Sequence, residues 1–448
     1  MSRLLVVCGE PIGERMAGPA IRALELGRAA AAAGNQVTIA APVGHGRPLL
    51  PAGVSLVPLD SSSLGVLLEG HECVLAGASL LSRFPGLART RLPLALDLYV
   101  PVVLEAARLF AGAPQRVQRA VISEAAAVSA LELRRADLVL CANQRQRDLW
   151  LGVAASCGRL AADPGLARDG GLIRVVPFGV PDEAPVPGAA PRLRGVVPGI
   201  GAADRVMLWA GGLHDWFDPG LVIEALDLLE RRDGIKDLRL VFLGSTPPNT
   251  RLAGHGSGRD ARELARERGL LDRSVFFLDG WVPYAERGAY LAEADIGVSA
   301  HLEGLETYFS WRTRLLDYAW AGLPLAGTGG DSLSALLEER GMALLCAPGD
   351  APGLAARIRE LLEPEAGARA RAAAAEVAVD LRWSRVAQPF VDWVNQPLRT
   401  AGRAGTLRAR AALWRMLAAK SAHVLATEGP AAVVRRSRRF RGPGRRPG

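Results

Sequence analysis

The chain has 448 residues, of which 49% are hydrophobic and 22% charged, and its formal net charge is +8. This hydrophobic content excludes wholesale disorder, and the length predicts two domains plus an extension. The five cysteines form no C-x-x-C pair and no uninterrupted apolar run reaches about 18 residues, so disulfides, structural zinc and a membrane span are not expected. The first residues, MSRLLVVCGEPIG, have too short an apolar core for a signal peptide, which predicts a cytoplasmic protein.

The positive charge is concentrated at the carboxyl-terminal end. From Leu398 onward the chain has thirteen basic residues and one acid, Glu428. The preceding residues contain 41 of the 54 basic and 45 of the 46 acidic side chains, so they are slightly negative. The body of the chain therefore does not have the charge of a nucleic-acid-binding surface, and no nucleic-acid partner is expected.

Residues 1–180 are predicted to form a first α/β domain. An apolar strand at Arg3 to Cys8 leads into a glycine-rich loop and a helix, a nucleotide-type βα unit. The loop spacing, Gly9, Gly13 and Gly18, matches neither G-x-G-x-x-G nor a P-loop. Further strands, which would form a parallel sheet, are predicted at Gln36 to Ala41, Val54 to Pro58, Cys73 to Ala76, Leu92 to Leu96, Arg135 to Cys141 and Ile173 to Val176.

Two polar segments of this domain follow predicted strands. Asp97 lies where the strand Leu92 to Leu96 gives way to a helix, the position at which ligands collect in open α/β sheets. Asp97 is therefore a candidate site residue, and capping of the next helix is the alternative. In the helix after Cys141, Gln144, Arg145 and Arg147 either face a cleft or are solvated surface residues.

A linker and a second α/β domain follow. Residues 181–204 are rich in Pro and Gly and indicate a linker. The second domain, 205–383, begins with a strand that ends at Gly211 and Gly212. Its other strands are predicted at Leu238 to Leu243, Ser274 to Phe277, Asp295 to Ala300, Leu323 to Ala326 and Met342 to Cys346, with helices between them. Residues 384–397 are predicted to form a final helix.

The segment AHLEGLETYFSWRTRLLDYAWAGLPLAGTGGD, residues 300–331, has the composition of an anion site. Arg312 and Arg314 lie in the predicted first turn of a helix, where both could reach one anion such as a diphosphate. Asp317 can accept two hydroxyl hydrogen bonds, as acids that hold the vicinal hydroxyls of a ribose do. A glycine turn follows, in which the amides of Gly329 and Gly330, before Asp331, can approach a phosphate closely.

This segment is similar to the carboxyl-side signature of GT-B glycosyltransferases, especially family 4. In that signature two glutamates separated by seven residues precede a small-residue helix and a Gly-x-Pro strand. LLDYAWAGLPLAGTGGD resembles its second half, with Asp317 in the place of the second glutamate. The first half departs from it, because ETYFSWRTR replaces the usual Glu-x-Phe-Gly turn and Glu306 is the nearest upstream acid.

The resemblance implies a GT-B architecture, in which two Rossmann-like doubly wound domains face each other across a cleft. It also implies that the helix of residues 384–397 crosses back onto the first domain. A donor site would include Gly18 in the first loop, with Arg15 and Arg22 beside it, the pair Gly211 and Gly212, and Glu306 near the donor sugar. The alternative for the first loop is that its glycine only turns the chain and its arginines are solvated.

Two further expectations follow from the resemblance. Asp97 would lie on the acceptor side of the cleft and orient or deprotonate an acceptor hydroxyl. The family usually has Gly-Arg-Leu and a lysine where this chain has Gly211-Gly212-Leu213, so the cations that grip the diphosphate are missing. Arg312 and Arg314 would replace them, stabilise the leaving diphosphate and so act as catalytic residues together with Asp97.

The basic extension, residues 398–448, combines a helix with a polybasic end. Apolar residues recur at helical spacing around Trp414, with basic residues between them, before the sequence RRSRRFRGPGRRPG. One interpretation is an interfacial helix that binds an anionic membrane from the cytoplasmic side. The other is a helix that packs on the body and ends in a disordered tail.

The sequence thus predicts a glycosyltransferase that moves a sugar from a nucleoside diphosphate donor to an acceptor, with a glycan or a lipid-linked saccharide as the suspected acceptor. Retention of configuration is implied by the resemblance, and the absence of a D-x-D motif predicts chemistry without a metal or other cofactor. The alternative is a non-catalytic GT-B relative that serves as a binding or assembly module. A nicotinamide oxidoreductase is disfavoured because the dinucleotide glycine fingerprint is missing.

Overall fold

The computed structural model describes residues 1–44, 46, 48, 50–60, 63–160, 164–168, 170–186, 188, 190–244, 257–400 and 403–433. Within these ranges the chain forms two open α/β sheets in sequence order, followed by helices that return to the first domain. Every strand pairing within the two sheets is parallel.

The first domain is built on a seven-stranded sheet in the order β3-β2-β1-β4-β5-β6-β7. Its strands are β1 (Arg3–Val7), β2 (Gln36–Ala41), β3 (Val54–Pro58), β4 (Cys73–Gly77), β5 (Leu94–Asp97), β6 (Leu138–Cys141) and β7 (Ile173–Val175). The helices are α1 (Gly18–Ala32), α2 (Ser63–Glu69), α3 (Leu80–Arg83), α4 (Pro85–Arg89), α5 (Val102–Leu109), α6 (Gln115–Arg135) and α7 (Gln144–Ser156). A short 3-10 helix spans Pro164–Ala167.

The second domain has a six-stranded sheet in the order β10-β9-β8-β11-β12-β13. Its strands are β8 (Arg205–Ala210), β9 (Leu238–Leu243), β10 (Val275–Leu278), β11 (Ile296–Ser299), β12 (Leu325–Thr328) and β13 (Ala343–Cys346). Its helices are α8 (Pro219–Arg231), α9 (Ser257–Glu267), α10 (Arg287–Leu291), α11 (Leu305–Phe309), α12 (Thr313–Trp320), α13 (Ser332–Glu339), α14 (Ala351–Leu362) and α15 (Pro364–Asp380), with a 3-10 turn at Tyr284–Glu286.

The central strands are apolar because helices cover both faces of each sheet. All residues of β4 but its last, all of β5 and all of β6 are buried, as parallel strands inside an α/β domain must be. In both domains the order of strands reverses next to the strand that enters first, β1 or β8. Loops at the carboxyl ends of these strands surround a crevice, which is where open α/β sheets bind ligands.

The end of the chain returns to the first domain. Two helices, α16 (Trp383–Val386) and α17 (Gln388–Asn395), pack against α1. The side-chain Nδ2 of Asn35 donates to Asn395 Oδ1 at 2.8 Å, and Arg174 donates to the carbonyl oxygen of Pro389 at 2.7 Å. Both bonds join residues within 384–397 to the first domain.

A long helix, α18 (Arg403–Glu428), then lies along α6 and reaches α3 and α4. It buries Leu413 and Met416, while Trp414 and Leu425 stay 73% and 53% exposed. The helix thus packs on the body, as one of the two interpretations of the extension predicted. None of the described helices is long and apolar enough to cross a membrane. The sequence RRSRRFRGPGRRPG lies outside the described residues.

Candidate functional site

A cavity of about 390 Å³ lies between the two domains. Segments that follow strands of both sheets form its walls, including the β5–α5 connection of the first domain and the ends of β8, β9 and β10 in the second. Among the predicted site residues, those that line it are Gly18, Gly211, Gly212, Glu306, Arg312, Arg314 and Asp317. The structure therefore brings seven of the predicted residues to one crevice.

Arg314 lies beneath the glycine pair at the end of β8. Its Nε donates to the carbonyl oxygen of Ala210 at 2.7 Å and its Nη2 to that of Gly212 at 2.6 Å. Nη1 reaches the Ser299 hydroxyl at 3.4 Å, and the guanidinium faces the ring of Trp209 at 4.1 Å. No carboxylate of the described residues lies within ion-pair distance of it. Burial lowers the pKa of Arg314 to about 10, so the residue remains cationic at neutral pH.

Arg312 makes a two-pronged ion pair with Glu306. The two guanidinium nitrogens donate to the two carboxylate oxygens at 3.0 and 2.6 Å, and both side chains are nearly buried. Arg312 also faces the ring of Phe217, which Arg314 contacts from 4.3 Å. The two predicted arginines therefore flank one aromatic ring, but only Arg314 lacks a carboxylate partner among the described residues.

Asp317 pairs with an arginine that the sequence analysis did not select. Its Oδ1 accepts from Arg287 Nε at 3.0 Å, and its side chain is one-third exposed at the cavity. Arg287 is held between the rings of Tyr284 and Trp320. Burial opposes the charge of Arg287, but Asp317 and Tyr284 outweigh it and raise the pKa.

The glycine turn before α13 is not part of the cavity wall, although its residues were predicted to bind the donor. Asp331 is fully buried, and one of its carboxylate oxygens accepts from the amides of Leu333 and Ser334. It therefore caps α13. The amide of Gly329 donates to Cys346, and the carbonyl oxygen of Gly330 accepts from Arg145. In this conformation the turn makes structural contacts and presents none of these three residues to the cavity.

Asp97 also lies behind the cavity wall. Its Oδ2 accepts from Arg22 Nε at 2.7 Å, and Arg22 is fully buried. The other two nitrogens of Arg22 donate to the carbonyl oxygens of Pro177 and Val176. Asp97 Oδ1 is buried without a hydrogen-bond partner among the described residues, and Tyr99 is the neighbour that faces the cavity. The geometry thus gives Asp97 a buried ion pair rather than access to an acceptor.

Arg15 was the other arginine expected beside Gly18 in the first loop. Its side chain is exposed and it does not line the cavity.

The start of α7 joins the two domains. Gln146 is fully buried, and its Nε2 donates to the carbonyl oxygens of Tyr99 and Phe309, each at 2.8 Å. Asn143 donates to the carbonyl oxygen of Ser310, and Arg145 to that of Tyr308. These bonds hold the turn between Glu306 and Arg312 against the first domain. Of the three residues considered for the cleft, Arg145 makes this contact, whereas Gln144 bonds Asp148 and Arg147 bonds Ala167.

Several residues that line the cavity were missed. Trp281 follows β10, and its indole nitrogen donates to the carbonyl oxygen of Met16 at 2.9 Å, across the cleft. Glu105, in the first turn of α5, has its pKa raised to about 7 by burial and then by Glu306, with Arg312 opposing. Both follow a predicted strand closely, which is the signal that could have identified them. Within the described ranges no three His, Cys, Asp or Glu side chains form a metal-ligand group.

The second domain matches a known sequence family. Residues 204–364 match the family model described as Glycosyl transferases group 1. This range covers most of the second domain and includes Arg312, Arg314 and Asp317. None of the curated proteins compared with the chain matches it significantly.

Solved structures extend the likeness to both domains. HepE of Anabaena in complex with UDP-glucose is 15% identical, with 89% of this chain and 100% of that chain covered and a TM-score of 0.63. Sucrose-phosphate synthase from Thermosynechococcus elongatus is 17% identical, with 98% of each chain covered and a TM-score of 0.55. WaaG, a glycosyltransferase involved in lipopolysaccharide biosynthesis, is 13% identical over 88% of this chain and 100% of that chain, with a TM-score of 0.58.

These comparisons confirm the predicted α/β class and the GT-B architecture, since two parallel sheets face each other and align with GT-B structures over nearly their full length. The family match also confirms the prediction of an enzyme of the glycosyltransferase class.

Proposed function

We propose that the protein transfers a sugar from a nucleoside diphosphate donor to a glycan or lipid-linked acceptor, with retention of configuration and without a metal ion. The observation that supports this most is Arg314, a buried cation at the cavity next to two glycines, whose partners among the described residues are carbonyl and hydroxyl oxygens. A buried charge without a counterion is costly, so an anionic ligand would bind there favourably.

In this proposal the diphosphate lies against Gly211 and Gly212, above Arg314. Glycine leaves room for a phosphate to approach the main chain, and Gly211 has a φ of +112°, which other residues rarely adopt. When the bond between the anomeric carbon and the diphosphate oxygen breaks, its electron pair remains on the diphosphate. The cation of Arg314 would stabilise this growing charge, which is the effect most often responsible for rate enhancement.

The rest of the donor would lie along the same wall. Asp317 has one carboxylate oxygen bonded to Arg287, and the second can accept from a ribose hydroxyl. Glu306, held by Arg312, would face the transferred sugar. The structurally similar HepE is solved in complex with UDP-glucose, which makes UDP-sugars the first donors to test.

A panel of UDP-, GDP-, ADP- and dTDP-sugars tests the proposal through thermal unfolding and donor turnover. We expect one nucleotide class to raise the Tm and to be consumed, and EDTA to leave the turnover unchanged. Arg314→Gln should strongly reduce both effects, whereas Arg205→Gln, which removes an exposed pair with Asp237 in the same domain, should reduce neither. A panel in which no compound binds would refute the donor site.

The second candidate, a non-catalytic binding module, is favoured by one observation. Arg312 is occupied by Glu306, and the two cations that the resemblance places after β8 are absent, so Arg314 alone would face the diphosphate. Nucleotide-sugar binding with no hydrolysis or transfer, measured by calorimetry and product analysis, would support this candidate over the enzyme.

We also propose that α18 brings the enzyme to an anionic membrane surface. Its exposed face presents Trp414 and Leu425 together with Arg415, while the opposite face packs on α6. Aromatic and aliphatic side chains beside cations are typical of interfacial helices. Residues 398–448 add a net charge of +12 by sequence, which an anionic leaflet would attract.

Flotation with vesicles of phosphatidylglycerol and phosphatidylcholine tests this surface. Trp414→Ser with Leu425→Ser should reduce binding to anionic vesicles, and Val379→Ser, an exposed valine of the second domain, serves as the matched control. If removal of residues 398–448 leaves flotation unchanged, the extension is not a membrane anchor.

A further inference from the structure

Glu105 occupies the wall of the cavity that faces the arginines. It lies in the first turn of α5, directly after the β5–α5 connection, and it lines the same cavity as Arg312 and Arg314. Its side chain is half-buried, and no hydrogen bond or ion pair joins it to any described residue. The Glu105 oxygens are not among the described side-chain atoms that are buried without a partner, so they are open to the cavity and free to bind a ligand there.

The position of Glu105 is fixed from both sides. On the side of the first domain, α5 packs on α6 through apolar residues such as Ala106 and Val121. On the other side, Arg108, one turn later, donates to the carbonyl oxygen of Asp215 in the second domain at 3.4 Å, and α5 contacts α11. The first turn of α5 is therefore held opposite the Glu306–Arg312 pair.

The charges around Glu105 disfavour a phosphate and favour a hydroxyl. Glu306 and Arg312 are the charged groups across the cleft that act on it, and they act in opposite directions, while its α6 side is apolar. A carboxylate would repel a phosphate that approached it, and either form of the carboxyl can hydrogen-bond a sugar hydroxyl. The aromatic residues Trp216 and Phe217 line the same cavity. Ligand pockets are usually lined by apolar and aromatic side chains with a few polar groups among them.

We propose that the Glu105 carboxyl binds a hydroxyl of a sugar in the cleft, opposite the diphosphate site of Arg314. This inference rests on the proposed function and adds a sugar-binding residue from the first domain. The hydroxyl can come from the transferred sugar of the donor or from the acceptor. Both sources share one chemistry, a neutral polyol held by a carboxyl group, and the experiment separates them.

The test compares wild type, Glu105→Gln and the control Glu69→Gln, which changes an exposed carboxyl at the end of α2. Calorimetry gives the affinity for the nucleotide sugar with the largest effect on Tm and for its parent nucleoside diphosphate, at pH 6 and pH 8. If the hydroxyl belongs to the donor, Glu105→Gln weakens binding of the nucleotide sugar about ten- to a hundredfold and leaves that of the diphosphate unchanged.

If the hydroxyl belongs to the acceptor, donor affinity is unchanged. The ratio of transfer to hydrolysis then falls by a similar factor when octyl glucoside, octyl galactoside or octyl mannoside is the acceptor. Because an ionised carboxylate accepts a hydroxyl hydrogen bond more strongly than a protonated carboxyl, the defect of Glu105→Gln relative to wild type should in either case be larger at pH 8 than at pH 6, on the two sides of the pKa of about 7. The inference fails if the affinity of Glu105→Gln for the nucleotide sugar and its ratio of transfer to hydrolysis both stay within about twofold of the wild-type values at both pH values. Failure of wild type to bind any nucleotide sugar would instead refute the donor site.

Discussion

Arg22 of the first domain and Arg314 of the second are both buried close to the cleft, and their charges are satisfied differently. Arg22 of the first domain has the carboxylate of Asp97 at 2.7 Å and two carbonyl oxygens. Arg314 of the second domain has two carbonyl oxygens and a hydroxyl, and no carboxylate of the described residues pairs with it. The comparison separates a cation that the fold has neutralised from one that retains its charge for a ligand.

Breaking the neutralised pair should have the largest effect. Arg22→Met leaves Asp97 buried without a cation, and we expect a loss of about 3–5 kcal/mol in the free energy of unfolding, measured with urea. The double variant Arg22→Met with Asp97→Asn should recover much of this loss. If the double variant folds and turns over the donor, Asp97 stabilises the fold; if it folds but is inactive, the catalytic role predicted from the sequence stands.

Removing the cation without a carboxylate should affect activity more than stability. We expect Arg314→Gln to lower kcat/KM for the donor by about 10²–10³-fold, the range found when one preorganised charge stabiliser is lost. The Tm should change little, because the substitution also removes a buried charge. Steady-state kinetics and a thermal melt of the same preparation give both values, and unchanged kcat/KM would make Arg314 a structural residue like Arg22.

The sequence predicted most of the fold because parallel strands in α/β domains are nearly continuous apolar runs. The ends of all thirteen strands lie within three residues of the predicted positions. The helix α6 was not predicted, and the reason is physical: its buried stripe is complete only when α18, nearly 300 residues later in the chain, packs on it. Pairing between distant helices is a tertiary property that local periodicity does not reveal.

The candidate site was predictable in location but less so in contacts. Their place in a predicted first helical turn pointed to Arg312 and Arg314, and the family resemblance pointed to Gly211 and Gly212; all four line the cavity. The ion-pair partner of each buried charge could not be predicted from local sequence, because partners such as Arg22 and Asp97 are 75 residues apart. Asp331 is different, because an aspartate before Ser-Leu-Ser is a local capping signal that could have been preferred over a donor contact.

Two buried carboxyl groups of the first domain differ in the same way, because Asp97 pairs with Arg22 whereas Glu132 pairs with no cation of the described residues. Glu132 accepts from the Ser79 amide, and burial raises its pKa from 4.5 to about 8, with the amide opposing. The native state thus holds this proton more tightly than the unfolded chain, so stability falls as pH rises from about 4.5 to about 8. Between pH 6 and pH 8, Glu132→Gln should remove about 2–3 kcal/mol of this fall in urea titrations. Parallel curves for wild type and variant would contradict the raised pKa.

The smallest effect tests whether a neutralised arginine can be converted into one that binds an anion. Glu306→Gln removes the carboxylate that pairs with Arg312 but keeps an oxygen that can accept from it. Arg312 flanks the same Phe217 ring as Arg314, so its released charge would act on a diphosphate at the Arg314 site. We expect calorimetry to show about three- to tenfold tighter binding of the nucleoside diphosphate, since a charge-assisted contact contributes about 1.5–3 kcal/mol before losses to solvent. Turnover should fall in the same variant, because Glu306 would no longer face the sugar as a carboxylate. Weaker diphosphate binding would mean that Glu306 holds Arg312 in place, and that an arginine near the cleft needs its geometry fixed before its charge can serve a ligand.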